Sequence, residues 1–285
     1  LAGKLLEWVK DFDGENSLRN YCLRRRKTIA GLFFLPLAGE IAWQREPVSA
    51  ETLERIKSTR KLTIAVKDNI RPFGFRNDRG ELVGLEIDIA REISNELFGD
   101  PNIVELKPTI NRDRLLAVAD GRVDAVIARL TVNGGRSRIV DFSKPYYIDG
   151  TGLLAKRSIS LSGLRKGRIG VLKGSTTEEF VRFFLPEATI VGADSYLQGK
   201  SLLDGNSIQA FAADRGILIG WQQEFPGYFL LRERLSAESI AIAMARGYRH
   251  DSWRNFINAT ISKWQASGWL ASRIQFWQLD RVALP

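Results

Sequence analysis

The sequence predicts an α/β fold of two lobes, each a mostly parallel sheet flanked by helices. Short β-branched runs alternate with segments of helical periodicity, as parallel sheets require. The order of strand, turn and helix recurs more loosely in the second half. Two strands, DAVIARLT and QAFAAD, end in polar residues, where facing open sheets enclose a crevice.

The elements follow in chain order. ETLERIKSTRK places Leu53 and Ile56 on one helical stripe, and LTIAV reads as a compact strand. KDNIRPFGFRNDRGELVG is a loop and hairpin that turns on Asn77, Asp78 and Gly80. From Leu85 the spacing becomes helical through Ile87, Ile89, Ala90, Ile93 and Leu97, with Glu86 and Asp88 in the first turn, where carboxylates suit the helix dipole. IVELKP is a strand, RDRLLAVAD a short helix and DAVIARL another strand. TGLLAKR is extended and crosses to a second unit of RIGVL (strand), GSTTEEFVRFFL (turn and helix), TIVGA (strand) and SIQAFAAD (strand). GILIGWQQE starts a helix after Asp214, and ESIAIAMAR returns as a strand. The last helix, DSWRNFINATISKWQASG, carries a wide apolar stripe of Trp253, Phe256, Ile257, Thr260, Ile261 and Trp264. The expected organisation is residues 1–45 outside the fold, 46–150 as the first lobe, 151–240 as the second, and 241–285 as a return to the first with C-terminal helices.

Among 285 residues, 44% hydrophobic and 26% charged, there is enough apolar material for a large core. Against 33 Asp and Glu stand 42 Lys and Arg, a net charge of +9, but the basic residues are scattered among acidic ones and no nucleic-acid partner is expected. Cys22 is the single cysteine and His250 the single histidine, which excludes an internal disulfide, a thiolate cluster and a multi-histidine metal centre. Arg24, Arg25, Arg26 and Lys27 precede TIAGLFFLPLAG, the order of basic region, short apolar stretch and small residues found in an export signal. A buried helix and a short uncleaved membrane anchor are the alternatives, and export makes the expected location periplasmic.

Arg136 is the first candidate for chemistry. A guanidinium fork matches a carboxylate, Gly134 and Gly135 before it allow close approach of a ligand, and the Thr131 hydroxyl stands at the strand end. The plain alternative is a solvated arginine in a turn. GSTTEEF is the second: Ser175 or Thr176 caps a helix with Glu178 or Glu179 completing a box, and exposed N–H groups at that end also attract an anion. Lys173-Gly174-Ser175 lacks the spacing of a phosphate-binding loop, and no cofactor is expected. Asp214 is the third; it can receive an ammonium, cap the next helix or pair with Arg215. Arginine for a carboxylate and aspartate for an ammonium together make a clamp for a zwitterion. His250, between Arg249 and Asp251 in a polar turn, completes no catalytic triad.

From Glu51 to Trp277 the chain resembles the periplasmic amino-acid-binding proteins of ABC uptake systems, the polar amino-acid group of the type II periplasmic-binding fold. DAVIARLTVNGGRSRIVDFSKPYY carries the most specific likeness, supported by LTIAVKDNIRPFGFRNDRGELVGLEIDIAREI, KGSTTEE and QAFAAD. The resemblance implies a non-catalytic, monomeric receptor that closes on a free L-amino acid by hinge motion and docks on an ABC permease. It implies that Arg136 holds the ligand α-carboxylate with Thr131 and the Ser175/Thr176 helix end, and that Asp214 and the carbonyl near Arg129 take the α-ammonium. The chain departs from the family pattern at four places. Gly134-Gly135 replaces Pro-Glu, Ile70 stands for a ligand-covering aromatic so that Phe73 or Phe75 must supply the ring, Arg129 replaces a small residue, and Lys67 stands where acidic-ligand binders place a basic contact. Lys67, Arg71 and Arg129 favour glutamate or aspartate, with a neutral polar amino acid next. A dehydratase on the same fold, with Glu86, Asp68 or Asp149 as acid or base, and a sensing domain are the alternatives.

Overall fold

The computed structural model describes residues 51–280; the expected leader, residues 1–45, lies outside the described residues. The chain begins with α1 (Thr52–Thr59) and β1 (Leu62–Val66). A small antiparallel meander follows, formed by β2 (Asn69–Ile70), β3 (Gly74–Arg76) and β4 (Leu82–Val83). The Asn77 Oδ1 accepts from the backbone N–H groups of Arg79 and Glu81 and so builds its turn. Then come α2 (Leu85–Phe98), β5 (Val104–Pro108), α3 (Arg114–Ala119), β6 (Ala125–Ile127) and the long β7 (Val140–Asp149). β8 (Thr151–Ala155), β9 (Arg168–Leu172), α4 (Thr177–Phe184), β10 (Thr189–Ala193), α5 (Tyr196–Asp204), β11 (Ala210–Asp214), α6 (Arg215–Glu224) and β12 (Phe229–Leu230) form a second unit. β13 (Glu238–Ala245), α7 (Asp251–Ser267) and α8 (Trp269–Phe276) complete the described chain.

Two five-stranded sheets result, in the orders β5-β1-β6-β13-β7 and β10-β9-β11-β8-β12. In each, three neighbouring strands run parallel, and the other two pairings are antiparallel. The antiparallel members are the ones the chain uses to leave and re-enter a sheet, where direction must reverse. All five residues of β1 are buried, as expected of a parallel strand covered on both faces. On one face Ile64 and Val66 meet Ile87, Ile93, Trp253, Ile257 and Trp264 of α2 and α7, while Ala65 on the other meets Leu115 and Val118 of α3. The second sheet follows the same period of two, with Leu153 facing Val181 of α4 and Leu154 facing Tyr196 and Trp221 of α5 and α6. Among the described residues, no helix is long and apolar enough to cross a membrane.

The lobes are joined by two adjacent crossings. β7 passes through Gly150 into β8, and the chain comes back through Leu235 to Glu238, which pairs with Asp149. Thr151 N donates to Ser236 Oγ at 2.7 Å and Leu235 N donates to Thr151 O at 2.8 Å, so the crossings are bonded to one another. A Cβ on Gly150 would lie 1.9 Å from the Ser236 carbonyl oxygen. Gly150→Ala must therefore push the crossings apart, at a cost of about 1–3 kcal/mol on the scale of overpacked interiors. A urea midpoint equal to that of the parent would show that the crossings are looser than this contact requires.

Candidate functional site

The carboxyl ends of β6 and β11, one from each sheet, face each other across a buried ion network. Directly beyond β6, Arg129 adopts a left-handed conformation with φ 49°. That conformation is costly for a residue with a Cβ and persists only where the surroundings enforce it. Here they do: Arg129 N donates to Glu86 Oε1 at 2.6 Å, and Arg114 Nη1 donates to the carbonyls of Ala128 and Arg129 at 2.6 and 3.3 Å. The Arg129 side chain then runs over the Phe73 ring at 4.9 Å and donates through Nη2 to Asp149 Oδ2 at 2.6 Å and to Asp214 Oδ2 at 3.0 Å. Asp149 Oδ1 accepts from Gly216 N at 3.0 Å, which fixes the carboxylate from the second lobe.

The electrostatics follow from burial and pairing. Burial works against the charge on Arg129, but Asp149 and Asp214 outweigh it and raise its pKa. Burial raises Asp149 against the opposing pull of Arg129, and it raises Glu86 against hydrogen bonds from Tyr146 OH and Arg129 N–H. Glu86 is fully buried, with Oε1 receiving Tyr146 OH at 2.5 Å and Oε2 unpartnered among the described residues. It lies behind Arg129 as a support for the backbone.

A few residues beyond Arg129, Arg136 begins a single 3-10 turn, Arg136–Arg138. Its Nη1 donates to the Thr131 carbonyl at 2.9 Å and its backbone N to Asn133 Oδ1 at 2.9 Å, so Arg136 and Thr131 lie together. Thr131 is held against the return strand by a bridge to Ile240. Gly135 has φ −65° and a Cβ on Gly134 would meet nothing within 4 Å, so the glycine pair is not demanded by backbone geometry here.

Several expected roles change in three dimensions. Neither Ser175 nor Thr176 caps α4 through its side chain: Thr176 is exposed with helical φ and ψ, and Ser175 Oγ donates back to Leu172 O at 2.7 Å. Glu178 pairs with Arg182 one turn on, at 2.6 Å, instead of closing a capping box. In the first turn of that helix Glu178 N and Glu179 N already donate to Ser175 O and Thr176 O at 3.2 and 3.1 Å, so only N–H groups ahead of Glu178 could meet an anion. Asp214 neither caps α6 nor pairs with Arg215, which bonds instead to Asp280 and Leu231 O. Phe73 is fully buried beneath Arg129 and edge-on to Tyr147 at 5.5 Å, and Ile70 is packed into the first core. Lys67 is fully buried rather than solvated and donates to Thr109 O at 2.9 Å. Arg71 stacks on Phe75 at 4.0 Å and lies 3.7 Å from Glu224. The carbonyl of Arg129, expected near an ammonium, already accepts from Arg114.

Asp149 is the group whose role was not foreseen. Its signal was present: a charged residue at the end of SKPYYID and another in VIARLT each interrupt an apolar run and so require buried partners. His250 lies away from the cleft, half-buried against Thr52 Oγ1 at 2.7 Å, with its pKa lowered by burial. It borders a cavity of about 340 Å³ lined by Arg55, Lys61, Lys107, Arg122 and Asp124 at the amino ends of β1 and β6. Among the described residues, no three His, Cys, Asp or Glu side chains are placed to hold a metal ion.

The arrangement has relatives. A glutamine-binding protein of Geobacillus stearothermophilus is 32% identical over 200 residues, covering 68% of this chain and 76% of that protein. An ABC transporter glutamine-binding protein of Bacillus subtilis is 31% identical over 223 residues, covering 76% and 81%. Among solved structures, an ancestral arginine-binding protein bound to arginine is 28% identical with a TM-score of 0.59, covering 76% of this chain and 97% of that one. An ancestral cationic amino acid solute-binding protein shares the fold, with a TM-score of 0.68 and 24% identity over 79% of this chain and 99% of that one. The family model described as bacterial extracellular solute-binding proteins, family 3, matches residues 62–280, and the chain belongs to that family.

Proposed function

We propose that the protein is a periplasmic, monomeric and non-catalytic receptor that binds an amino acid, or the carboxylic acid corresponding to one, between its lobes and delivers it to an ABC permease. The observation that carries this reading is the direct bond from Arg129 to Asp214, which brings the strand ends of both sheets within hydrogen-bond distance beside Arg136. Arg136 is the carboxylate contact, with the Thr131 hydroxyl and the Ser175/Thr176 helix end as further donors. The lobes divide at Gly150 and at the return near Ser236, and closure is a population shift that needs ligand contacts from both. The basic residues lend little support to an acidic ligand over a neutral polar one, because Lys67 donates to Thr109 O inside the fold and Arg129 and Arg71 are engaged elsewhere.

The placement of its candidate acids and bases speaks against the dehydratase reading. Glu86 is sealed behind Arg129, Asp149 is 1% exposed on the guanidinium, and Asp68 lies 3.5 Å from Arg76. The test is a thermal-shift screen of the chain against the twenty amino acids and their 2-oxo acids, followed by chromatography of the mixtures. A ligand at one hundred times its Kd stabilises by about 2.7 kcal/mol, which appears as a shift of a few degrees. The expected outcome is a shift with a small set of compounds, recovered unchanged. A converted compound would establish an enzyme, and a flat screen would remove the receptor reading.

A further inference from the structure

The resemblance would make Asp214 the acceptor for a ligand ammonium, yet a cation of the chain itself is already bonded to it. The guanidinium of Arg129 donates to Asp214 Oδ2 at 3.0 Å and cannot leave without stranding Asp149, whose side chain is 2% exposed. Its position is built from four sides. Glu86 and Arg114 hold its backbone, Phe73 lies beneath its plane, Asp149 accepts at 2.6 Å, and Gly216 N pins Asp149. An ammonium entering beside Asp214 would share one carboxylate with a fixed like charge, and a shared counter-ion returns less attraction to each cation.

The neighbouring acids do not restore the balance. Glu238 pairs in register with Asp149, and its Oε1 accepts from Ser236 Oγ at 3.5 Å. Burial raises the pKa of both Glu238 and Asp149, and the charge of Asp214 adds to the rise.

We propose that Arg129 is a tethered counter-ion that fills the ammonium subsite, so that the ligand is a small carboxylate without a free α-ammonium, such as a 2-oxo acid or a dicarboxylate. This assignment rests on the receptor reading and narrows its ligand class. Arg136 still supplies the carboxylate contact, and Arg129 becomes the residue that decides whether an α-ammonium is required.

The experiment is calorimetric titration of the full chain with matched pairs: glutamate with 2-oxoglutarate and glutarate, leucine with 4-methyl-2-oxopentanoate, and phenylalanine with phenylpyruvate. Within a binding pair, the member without ammonium is expected to bind at least tenfold more tightly. In the double variant Arg129→Gly/Asp149→Asn, which frees Asp214 and still offers an acceptor to Gly216 N, the order is expected to reverse. An amino acid that binds wild type tenfold more tightly than its partner overturns the assignment and leaves the receptor reading standing. If neither member of any pair binds, both fall. Should the double variant fail to fold, the wild-type ratio alone decides.

Discussion

Asp149→Ala is expected to destabilise the protein by about 3–5 kcal/mol, because removing one member of a buried ion pair leaves the other charge uncompensated. The side chains of Arg129 and Asp149 are 6% and 2% exposed, so water cannot replace the lost carboxylate. Asp214 remains as a second acceptor, but its side chain is 38% exposed and its bond is longer, at 3.0 Å. That residual pairing places the expectation at the lower end of the range. Asp149→Asn should lose less, since an amide oxygen can still accept from Gly216 N or from the guanidinium. The check is the urea midpoint at unchanged m-value, which isolates a change in stability from a change in unfolded-state compactness. A loss under about 1 kcal/mol, typical of exposed pairs, would mean that the network is solvated.

Arg136→Ala is expected to weaken ligand binding by about two to three orders of magnitude, or roughly 3–4 kcal/mol, while leaving the fold intact. Truncating one partner of a desolvated charge pair costs about 2–5 kcal/mol, and a closed cleft supplies that desolvation. Stability should change little because Arg136 is only half-buried, and the bonds to Thr131 O and Asn133 Oδ1 are local to its turn. Arg136→Lys should recover only part of the loss, since an ammonium cannot present two parallel donors to a carboxylate. Calorimetry on the ligand found in the thermal screen measures both variants. Equal affinity in Arg136→Ala would move the carboxylate site elsewhere.

The fold was legible wherever one segment contained its own reason. LTIAV is buried throughout, with Thr63 its one polar side chain, because β1 is covered on both faces, and Ile87, Ile89, Ala90 and Ile93 repeat at helical spacing because α2 packs one side on that sheet. The turn at Asn77 and the stripe of Trp253, Ile257, Ile261 and Trp264 are likewise local patterns with local causes. The site was legible only in part. Thr131 and Arg136 lie close in sequence and do come together. Arg129 could not be placed from its neighbours, because its partners are 20 and 85 residues away and belong to β7 and β11. Ser175 and Glu178 have the right types for a capping box, but a strand carbonyl and Arg182 compete for their side chains and win. Hydroxyls and carboxylates have many acceptable partners within one turn, so composition does not choose among them.

A crystal structure of the chain with its ligand tests the central claim most directly. The account predicts the ligand carboxylate within hydrogen-bond distance of the Arg136 guanidinium, enclosed by both lobes, with Arg129 still on Asp149. A ligand seated instead in the basic cavity bordered by Arg122 and His250, or a cleft that stays empty at saturating ligand, would contradict it.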